Sequence, residues 1–261
     1  MLTSLQNPLV KQLRKLHQTK ERHRQQVFLL EGTHLVEEAC AAHLPLSVLC
    51  FTEAWQTRYP DLCQQAAAAA ERVEVVSPEI IAAIATTVTP DGVVATAGRD
   101  RLHESVPVDV SLGLAIESLQ DPGNVGTIIR TAAAAGVDGL WISPDSVDLD
   151  HPKVLRASAG QWFRLPMMVS SDLVADVQER QAEGMQIVAT LPTASKTYWE
   201  LDFTQPTLIL IGNEGAGLSP ELAQLADEQV QIPLAPGVES LNAAIATALI
   251  LYEARRQRTQ R

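Results

Sequence analysis

Three short segments in the second half of the chain combine glycine with residues that can bind or position a ligand. The first, DPGNVGTIIR (121–130), follows an apolar run and opens into an alanine-rich helical pattern. Its Pro-Gly pair predicts a tight turn, and Asn124 can cap the helix that follows. A strand, a glycine turn and a helix are also the parts of a dinucleotide site, but G-x-G-x-x-G is absent and Arg130 lies on the helix. Taken alone, the segment is compatible with an N-cap and a surface arginine.

The other two segments are IGNEGAGLS (211–219) and IPLAPGVESLN (232–242). Three glycines within six residues expose backbone N–H and C=O groups around Glu214, although the Lys-Ser/Thr ending of a P-loop is absent. In the last segment Ser240 is placed to cap the final helix. Capping explains Ser240 but does not explain Asn242, a weak helix former at the start of the same helix. A polar role is therefore expected for Asn242. For the glycine-rich loop, a connecting turn is the structural alternative to ligand binding.

These segments follow predicted strands, which determines where they meet. Short apolar runs predict five strands, separated by helical segments that start near Val125, His151, Asp172 and Ser219. The predicted strands are 111–119, 139–143, 186–190, 207–212 and 228–234. This alternation is typical of an α/β fold with a mainly parallel sheet and helices on both faces. Because open α/β sheets bind ligands at the carboxyl ends of their strands, we expect a site at that edge.

The first hundred residues predict a smaller α/β domain. Its strands are expected at 27–32, 46–52, 73–77 and 93–97, with helices at 33–43, 66–70 and 78–85. Charge, glycine and proline then interrupt the pattern, so that 101–109 is predicted to be a linker. The predicted domains are therefore 1–100 and 110–261.

Charge is distributed unevenly along the chain. The net charge is −11, yet residues 1–34 carry six Lys/Arg against two Glu, and residues 253–261 carry four Arg against one Glu. Basic ends on an acidic body fit either an RNA-contacting surface or solvated helix faces. No apolar run approaches the roughly 18 residues of a membrane span. The three cysteines form no close pair and the six histidines are scattered, so we expect reduced thiols, a cytoplasmic location and no metal.

The order and content of the three segments resemble one family. N-x-G-x-x-x-R (124–130), G-N-E-G-x-G-L (212–218) and I-P-L…S-L-N (232–242) are similar to the three motifs of the SpoU/TrmH family of RNA 2′-O-ribose methyltransferases. The resemblance covers roughly 110–258 and includes KVLRASAGQWFRLP (153–166), which is similar to the family's basic helix. Upstream, TSLQNPLVKQLRKL and FLLEGTHLVEEA resemble the small RNA-binding domain that many members carry.

The resemblance implies a deep trefoil knot at the C-terminal end of the sheet, a property that composition and spacing do not indicate. The knot would be formed by the second and third segments and would hold S-adenosylmethionine in a bent conformation. The implied cofactor-binding residues are Leu191, Gly212, Asn213, Gly215, Ile232, Leu234 and Leu241. Members build the RNA-facing site from both protomers, so a homodimer through the methyltransferase domain is implied as well.

The implied reaction is in-line attack of a ribose 2′-hydroxyl on the methyl group of the sulfonium. The family's arginine corresponds to Arg130, which normally stays protonated, so we expect it to orient the hydroxyl and the adjacent phosphate. Glu214 is a candidate partner of Arg130. The catalytic residues implied by the motifs are Arg130, Asn124, Glu214, Ser240 and Asn242.

The first domain would select the RNA, and ribosomal RNA is the expected substrate. One alternative is that transfer RNA is the substrate, and another is a non-catalytic RNA-binding role in ribosome assembly. A dinucleotide-dependent oxidoreductase is a third alternative, which the sequence favours least. The basic residues expected to contact RNA are Lys11, Arg14, Lys15, Arg22, Arg24, Arg156 and Arg164.

Overall fold

The computed structural model describes residues 1–99, 106, 107 and 109–259, which form two compact units. The first unit comprises Met1–Arg101 and Asp148–Arg164, and the second comprises Leu102–Val147 and Leu165–Arg261. Of the predicted linker 101–109, residues 101–105 and 108 lie outside the described residues. The sequence-based boundary assigned 148–164 to the methyltransferase domain, whereas their contacts lie in the first unit.

The helices and strands alternate along the chain. The strands are β1 (Val27–Glu31), β2 (Leu46–Phe51), β3 (Ala70–Val75), β4 (Val93–Gly98), β5 (Leu112–Ile116), β6 (Gly139–Ile142), β7 (Met167–Val169), β8 (Gln186–Thr190), β9 (Lys196–Thr197), β10 (Thr207–Ile211) and β11 (Glu228–Gln231). The helices are α1 (Pro8–Lys15), α2 (Thr19–Gln25), α3 (Thr33–Ala41), α4 (Glu53–Arg58), α5 (Pro60–Ala69), α6 (Pro78–Ile84), α7 (Pro122–Ala135), α8 (Pro152–Ala157), α9 (Leu173–Ala182), α10 (Pro220–Leu225) and α11 (Ala243–Thr259).

The first unit is built on a four-stranded sheet of order β1-β4-β2-β3. β4 pairs antiparallel with β1 and β2, and β2 pairs parallel with β3. α1 buries Leu9, Val10 and Leu13 in a core shared with α6. The buried positions follow helical spacing, so the opposite side of α1 carries its polar residues into solvent.

The second unit confirms the predicted mainly parallel sheet. Its order is β7-β6-β5-β10-β8-β11-β9, and each described pairing in it is parallel. The five predicted strands are present. The two edge strands β7 and β9 were not predicted because three and two residues are too short for a periodic pattern.

Alternating side chains of the second sheet are buried on opposite faces. One face packs Ala115, Leu208 and Leu210 against Leu173 of α9 and Leu222 of α10. The intervening strand residues, such as Leu114 and Ile209, have no exposed surface and therefore point into a second core layer. α7 and α11 pack against each other. Helices α7, α10 and α11 follow β5, β10 and β11 along the chain, after loops of five, eight and eleven residues that leave the carboxyl edge of the sheet.

The three cysteines, Cys40, Cys50 and Cys63, are buried and form no disulfide. Burial raises the pKa of the Cys50 thiol to about 12, which makes it unreactive near neutral pH. Within the described ranges, no helix is long and apolar enough to cross a bilayer.

Candidate active site

Asp121, and not Asn124, caps the helix of the first segment. Its side chain accepts hydrogen bonds from the backbone N–H groups of Gly123 (2.6 Å) and Asn124 (2.9 Å). The expectation that Asn124 caps this helix is therefore wrong, since Asn124 is already the third residue of α7. Because Asp121 does the capping, the Asn124 side chain is available to the other two segments.

Asn124 joins the three segments through its side-chain amide. Its Nδ2 donates to Oε1 of Glu214 (3.1 Å), and its Oδ1 accepts from Nδ2 of Asn242 (2.8 Å). Asparagine suits this central position because its amide carries both donors and an acceptor. We call Glu214, Asn124 and Asn242 the polar chain. It shows that the three segments meet at the carboxyl edge of the sheet.

Glu214 is held by the turn that leads into α7. Its carboxylate accepts from the backbone N–H groups of Gln120 (3.3 Å) and Asp121 (3.2 Å) in addition to Asn124. Burial raises the pKa of Glu214, but the hydrogen bond from Asn124 and those from backbone N–H groups outweigh it, so the pKa lies below its ordinary value. The suggested pairing with Arg130 is not among the ion pairs of the described residues.

Gly212 begins the second segment where two stretches of backbone pass in contact. A Cβ at this position would lie 2.2 Å from the carbonyl carbon of Gly217 and 2.3 Å from the backbone N of Leu218. Only glycine fits there, since neither neighbour is a flexible side chain. Asn213 and Gly217 exchange two backbone hydrogen bonds of 3.0 Å, which close the loop.

The Asn213 side chain builds this loop. Its Oδ1 accepts from the backbone N–H groups of Gly215 and Ala216, both at 2.9 Å, and its Nδ2 donates to the carbonyl of Ser118 at 2.7 Å. Asn213 therefore joins the second segment to the strand end that precedes the first. A contact of Asn213 or Gly215 with a cofactor stays a prediction.

Asn242 caps the last helix. Its Oδ1 accepts from the backbone N–H groups of Ala244 (2.9 Å) and Ile245 (3.3 Å), while its Nδ2 donates to Asn124. The prediction that Ser240 caps this helix is wrong, because α11 begins at Ala243. Ser240 is exposed in the irregular stretch before it, and its catalytic role stays a prediction.

Arg130 lies on the exposed side of α7, about 9 Å further along the helix axis than Asn124. Six residues of helix also place Arg130 about 120° around the axis from Asn124, so the two side chains leave α7 on different faces, and that of Arg130 leans toward the N-terminus of the helix. Among the described residues, no hydrogen bond or ion pair engages this guanidinium. Its five N–H donors are therefore available to a ligand.

The predicted cofactor residues lie at neighbouring strand ends. Leu191, Gly212 and Ile232 directly follow β8, β10 and β11, which are adjacent and parallel. Leu234 is half-buried and Leu241 is 38% exposed. These residues belong to loops without helix or strand, where backbone polar groups can face a ligand.

Four of the predicted RNA-contacting residues are exposed near the N-terminus. Lys11, Arg14 and Lys15 lie on the solvent side of α1. Arg24 is exposed on α2 and forms an ion pair with Glu21 at 2.6 Å. Because these side chains are exposed, they are accessible to RNA, and their contact with RNA stays a prediction.

Arg22 is fully buried, and its predicted contact with RNA is wrong. Its Nη2 pairs with Asp148 (2.7 Å) and its Nε with Asp150 (3.1 Å), whose side chain is also fully buried. Arg99 pairs with the second oxygen of Asp150 at 2.6 Å. A guanidinium enclosed by two carboxylates serves the structure of the first unit, since it neutralises charges that burial would otherwise make costly.

Arg156 and Arg164 are ion-paired but not buried. Arg156 Nη1 donates to Glu31 (3.0 Å) and to Thr86 Oγ1 (2.8 Å), and Arg164 pairs with Glu38. Their side chains are 31% and 45% exposed. Both pairs hold the Asp148–Arg164 stretch in the first unit, and RNA contact by these arginines stays a prediction.

Sequence reasoning missed residues that build the site. Asp121 has a recognisable signal, since an aspartate directly before a proline at the first helical position is a common helix start. Glu117 accepts from the backbone N–H of Ser219 at 2.7 Å across a separation of 102 residues. Ser118 and Asp145 form a further contact. Such long-range partners leave no local pattern in the sequence.

The parallel sheet and the three linked loops at its carboxyl edge define a SpoU-type methyltransferase domain. A sequence model described as the SpoU rRNA Methylase family matches residues 111–252, and one described as the MRM3-like substrate binding domain matches residues 7–95. The chain belongs to the SpoU rRNA methylase family.

Similar proteins extend over nearly the whole chain. An uncharacterized tRNA/rRNA methyltransferase of Synechocystis is 51% identical, and the aligned region covers 98% of this chain and 93% of the Synechocystis chain. The 23S rRNA (guanosine(2553)-2′-O)-methyltransferase RlmP of Bacillus subtilis is 33% identical, covering 97% and 98%. The crystal structure of an AdoMet-bound rRNA methyltransferase from Sinorhizobium meliloti has a TM-score of 0.87 at 33% identity, covering 98% and 97%.

Proposed function

We propose that this protein transfers a methyl group from S-adenosylmethionine to the 2′-hydroxyl of a ribose in ribosomal RNA, in the cytoplasm. The observation that carries the proposal is the polar chain, which links the three family motifs at the start of the helix that carries the exposed Arg130. The Bacillus subtilis and Sinorhizobium meliloti relatives are both named as rRNA methyltransferases, and the first name specifies 2′-O-methylation. These names favour ribosomal over transfer RNA.

The residues at the carboxyl edge fit S-adenosylmethionine. Partly exposed Leu191, Ile232, Leu234 and Leu241 offer apolar surface for an adenine ring, and the loop backbone beside them offers donors and acceptors for its rim. The tight approach of Gly212 to Gly217 and Leu218 closes the second segment on itself directly after β10. When bound, this cofactor supplies an electrophilic methyl group on a sulfonium. We propose that these loops form the trefoil knot expected of the family.

Arg130 would act on the substrate oxygen. A guanidinium stays protonated near neutral pH, so its N–H groups can orient the 2′-hydroxyl and the adjacent phosphate and stabilise negative charge that develops on the oxygen. The attacking oxygen must lie about 3–3.5 Å from the methyl carbon. The polar chain would fix the start of α7 relative to the start of α11. It would therefore also fix the position of Arg130, which lies on α7.

The first unit would bind the RNA. Exposed Lys11, Arg14 and Lys15 form a compact basic surface on α1, suited to phosphate contacts. The predicted domain 1–100 is incomplete without 148–164, because Arg22, Arg99 and Glu31 hold that stretch. Charge substitutions on α1 therefore test RNA binding more cleanly than deletion of residues 1–100.

We also propose a homodimer formed through the methyltransferase domain. α11 presents an apolar stripe of Ile245 (52% exposed), Leu249 (38%) and Tyr252 (52%), spaced i, i+4 and i+7. A second copy of the chain could bury this stripe. Sedimentation of the wild type and of Ile245→Glu tests this: a dimer that the substitution converts to monomer supports it, and a monomeric wild type refutes it.

Substitution of Arg130 tests the catalytic proposal. Total RNA from a strain that lacks the gene would be incubated with the protein and tritium-labelled S-adenosylmethionine, and methylated sites would be mapped. We expect wild-type protein to label ribosomal RNA at a ribose 2′-oxygen, and Arg130→Ala to lose roughly 100-fold or more in rate while cofactor affinity by calorimetry changes little. Labelling of transfer RNA would correct the substrate. Absence of S-adenosylmethionine binding by calorimetry, even with RNA present, would support the non-catalytic alternative. Full activity of Arg130→Ala would refute the role of Arg130.

A further inference from the structure

Ser118 adopts a left-handed backbone conformation although it is not glycine. Its φ is +55°, and it lies two residues after β5 and three before Asp121, the cap of α7. A side chain disfavours this conformation, so it persists only where surrounding contacts hold it. The residue therefore points to a set of contacts that fix the turn between β5 and α7.

Asp145 supplies the central contacts. Its carboxylate accepts from the Ser118 hydroxyl and, at 2.5 Å, from the Ser143 hydroxyl, and its backbone carbonyl accepts from Nε2 of Gln120 at 2.8 Å. The hydrogen bonds from the two serine hydroxyls lower the pKa of Asp145, the bond from Ser118 most and that from Ser143 next, so the carboxylate is ionised near neutral pH. Asp145 thus holds both Ser118 and Gln120 from the loop after β6.

The hydroxyl groups of Ser143 and Ser146 form a chain of hydrogen bonds whose donors and acceptors can be assigned. Ser143 gives its only hydroxyl proton to Asp145, so its Oγ must accept both from the Ser118 backbone N–H (2.8 Å) and from the Ser146 hydroxyl (3.0 Å). Ser146 Oγ in turn accepts from the Leu119 backbone N–H at 3.1 Å. The backbone N–H groups of Ser118 and Leu119 are therefore both engaged by the loop after β6.

The opposite end of the same turn is held by the second motif. The carbonyl of Ser118 accepts from Asn213 Nδ2, and Glu214 accepts from the N–H groups of Gln120 and Asp121. A turn held from two sides sets the position of the α7 N-terminus, and with it Asn124 and Arg130. An error of about 1 Å in such placement can cost on the order of 100-fold in rate.

We propose that Asp145 is a positioning residue for methyl transfer: by holding Ser118 in its left-handed conformation, it fixes the turn that places Asn124 and Arg130. The inference rests on the proposed methyltransferase function. Asp145 itself is exposed, and its loop is anchored by buried Ile142 and Ser143, so removal of its side chain leaves the core intact.

Glycine at position 118 provides a rescue that distinguishes positioning from other roles. Asp145→Ala should lower kcat about 10- to 100-fold, with KM for RNA and the Kd of S-adenosylmethionine changed less than about threefold. Because glycine adopts positive φ without strain, Asp145→Ala combined with Ser118→Gly should recover much of the lost kcat. Asp145→Ala combined with Ser118→Ala should not, since alanine keeps the steric cost without the hydrogen bond.

The assay is tritium transfer to total RNA from the deletion strain, with calorimetry and thermal melting of each full-length variant. Glu179→Gln on α9 is the control for loss of an exposed carboxylate. The inference is refuted if Asp145→Ala keeps kcat within twofold of the wild type, or if Ser118→Ala restores kcat as well as Ser118→Gly does. It is also refuted if Asp145→Ala lowers cofactor affinity and melting temperature together with kcat, as general destabilisation would. Inactivity of the wild type would instead refute the proposed function, and the inference with it.

Discussion

Replacement of Gly212 by alanine would place one methyl group against backbone at the start of the second motif. The added Cβ would lie 2.2 Å from the carbonyl carbon of Gly217. Since ordinary contact begins at 3.4 Å, the two stretches must separate by about 1.2 Å, the difference between these distances. Neither stretch can yield by rotating a side chain, because the contacting atoms belong to the backbone.

A shift of this size would break contacts that build the site. Applied to the hydrogen bond that joins these two stretches, from the backbone N–H of Asn213 to the carbonyl of Gly217, it would lengthen 3.0 Å to about 4.2 Å, beyond hydrogen-bonding distance. Overpacking of this kind costs about 1–3 kcal/mol and the lost hydrogen bond about 1 kcal/mol. We expect the melting temperature of Gly212→Ala to fall by roughly 5–15 °C, and its affinity for S-adenosylmethionine to fall at least about tenfold because the loop beside the cofactor moves.

Gly215→Ala is the matched control within the same loop. A Cβ at Gly215 would meet only Asn213 Oδ1, at 3.6 Å, which is ordinary contact. We expect its melting temperature to stay within about 2 °C of the wild type. Thermal melting and calorimetry with S-adenosylmethionine measure both variants. If Gly212→Ala binds the cofactor within twofold of the wild type and melts together with Gly215→Ala, the steric reasoning is wrong.

Three further predictions concern buried charge, pH and RNA binding. Arg22→Leu should lose about 3–5 kcal/mol in urea unfolding because Asp148 and Asp150 lose the guanidinium that bridges them, which leaves Asp150 paired with Arg99 and Asp148 with His23. Exposed Arg24→Leu should lose at most about 0.5 kcal/mol; equal losses would refute a special role for Arg22. The pKa of Glu214 is lowered by folding, so its stabilisation is present above the ordinary value of 4.5 and is lost as pH falls through the folded pKa. Glu214→Gln should therefore melt below the wild type near pH 7, and the difference should shrink as the pH falls below 4.5 through the folded pKa; a pH-independent difference would contradict this. Reversal of charge at Lys11, Arg14 and Lys15 should weaken RNA binding and flatten its salt dependence without changing cofactor affinity, and unchanged RNA affinity would exclude this surface.

Much of the second unit could be predicted because its signals are local. Continuous apolar runs such as 207–212 identify strands buried on both faces, and a helical pattern after each run implies parallel connection. The same local signals place 124–130, 212–218 and 232–242 after strands. Edge strands of two or three residues and the helix α4 carry too few residues for a period to be visible.

Individual side chains were less predictable because their roles depend on distant partners. Asn124 and Ser240 both have the residue type of an N-cap, yet Asp121 and Asn242 do the capping. Arg22 and Arg24 are two residues apart with the same charge, yet one is fully buried and the other is exposed to solvent. Which of them faces Asp148 is set by packing and not by composition.

The fold class, the succession of strands and helices, and the three motifs that assign the chain to its family can all be read from the amino-acid sequence alone. These properties follow from residue types within short windows, where periodicity and turn chemistry act. Three features appear only in the folded protein: Asn124 links Glu214 to Asn242, 148–164 belongs to the first unit, and Asp145 holds Ser118. Each of these features depends on groups from separate parts of the chain. Such groups come into contact only when the strands have assembled into the sheet.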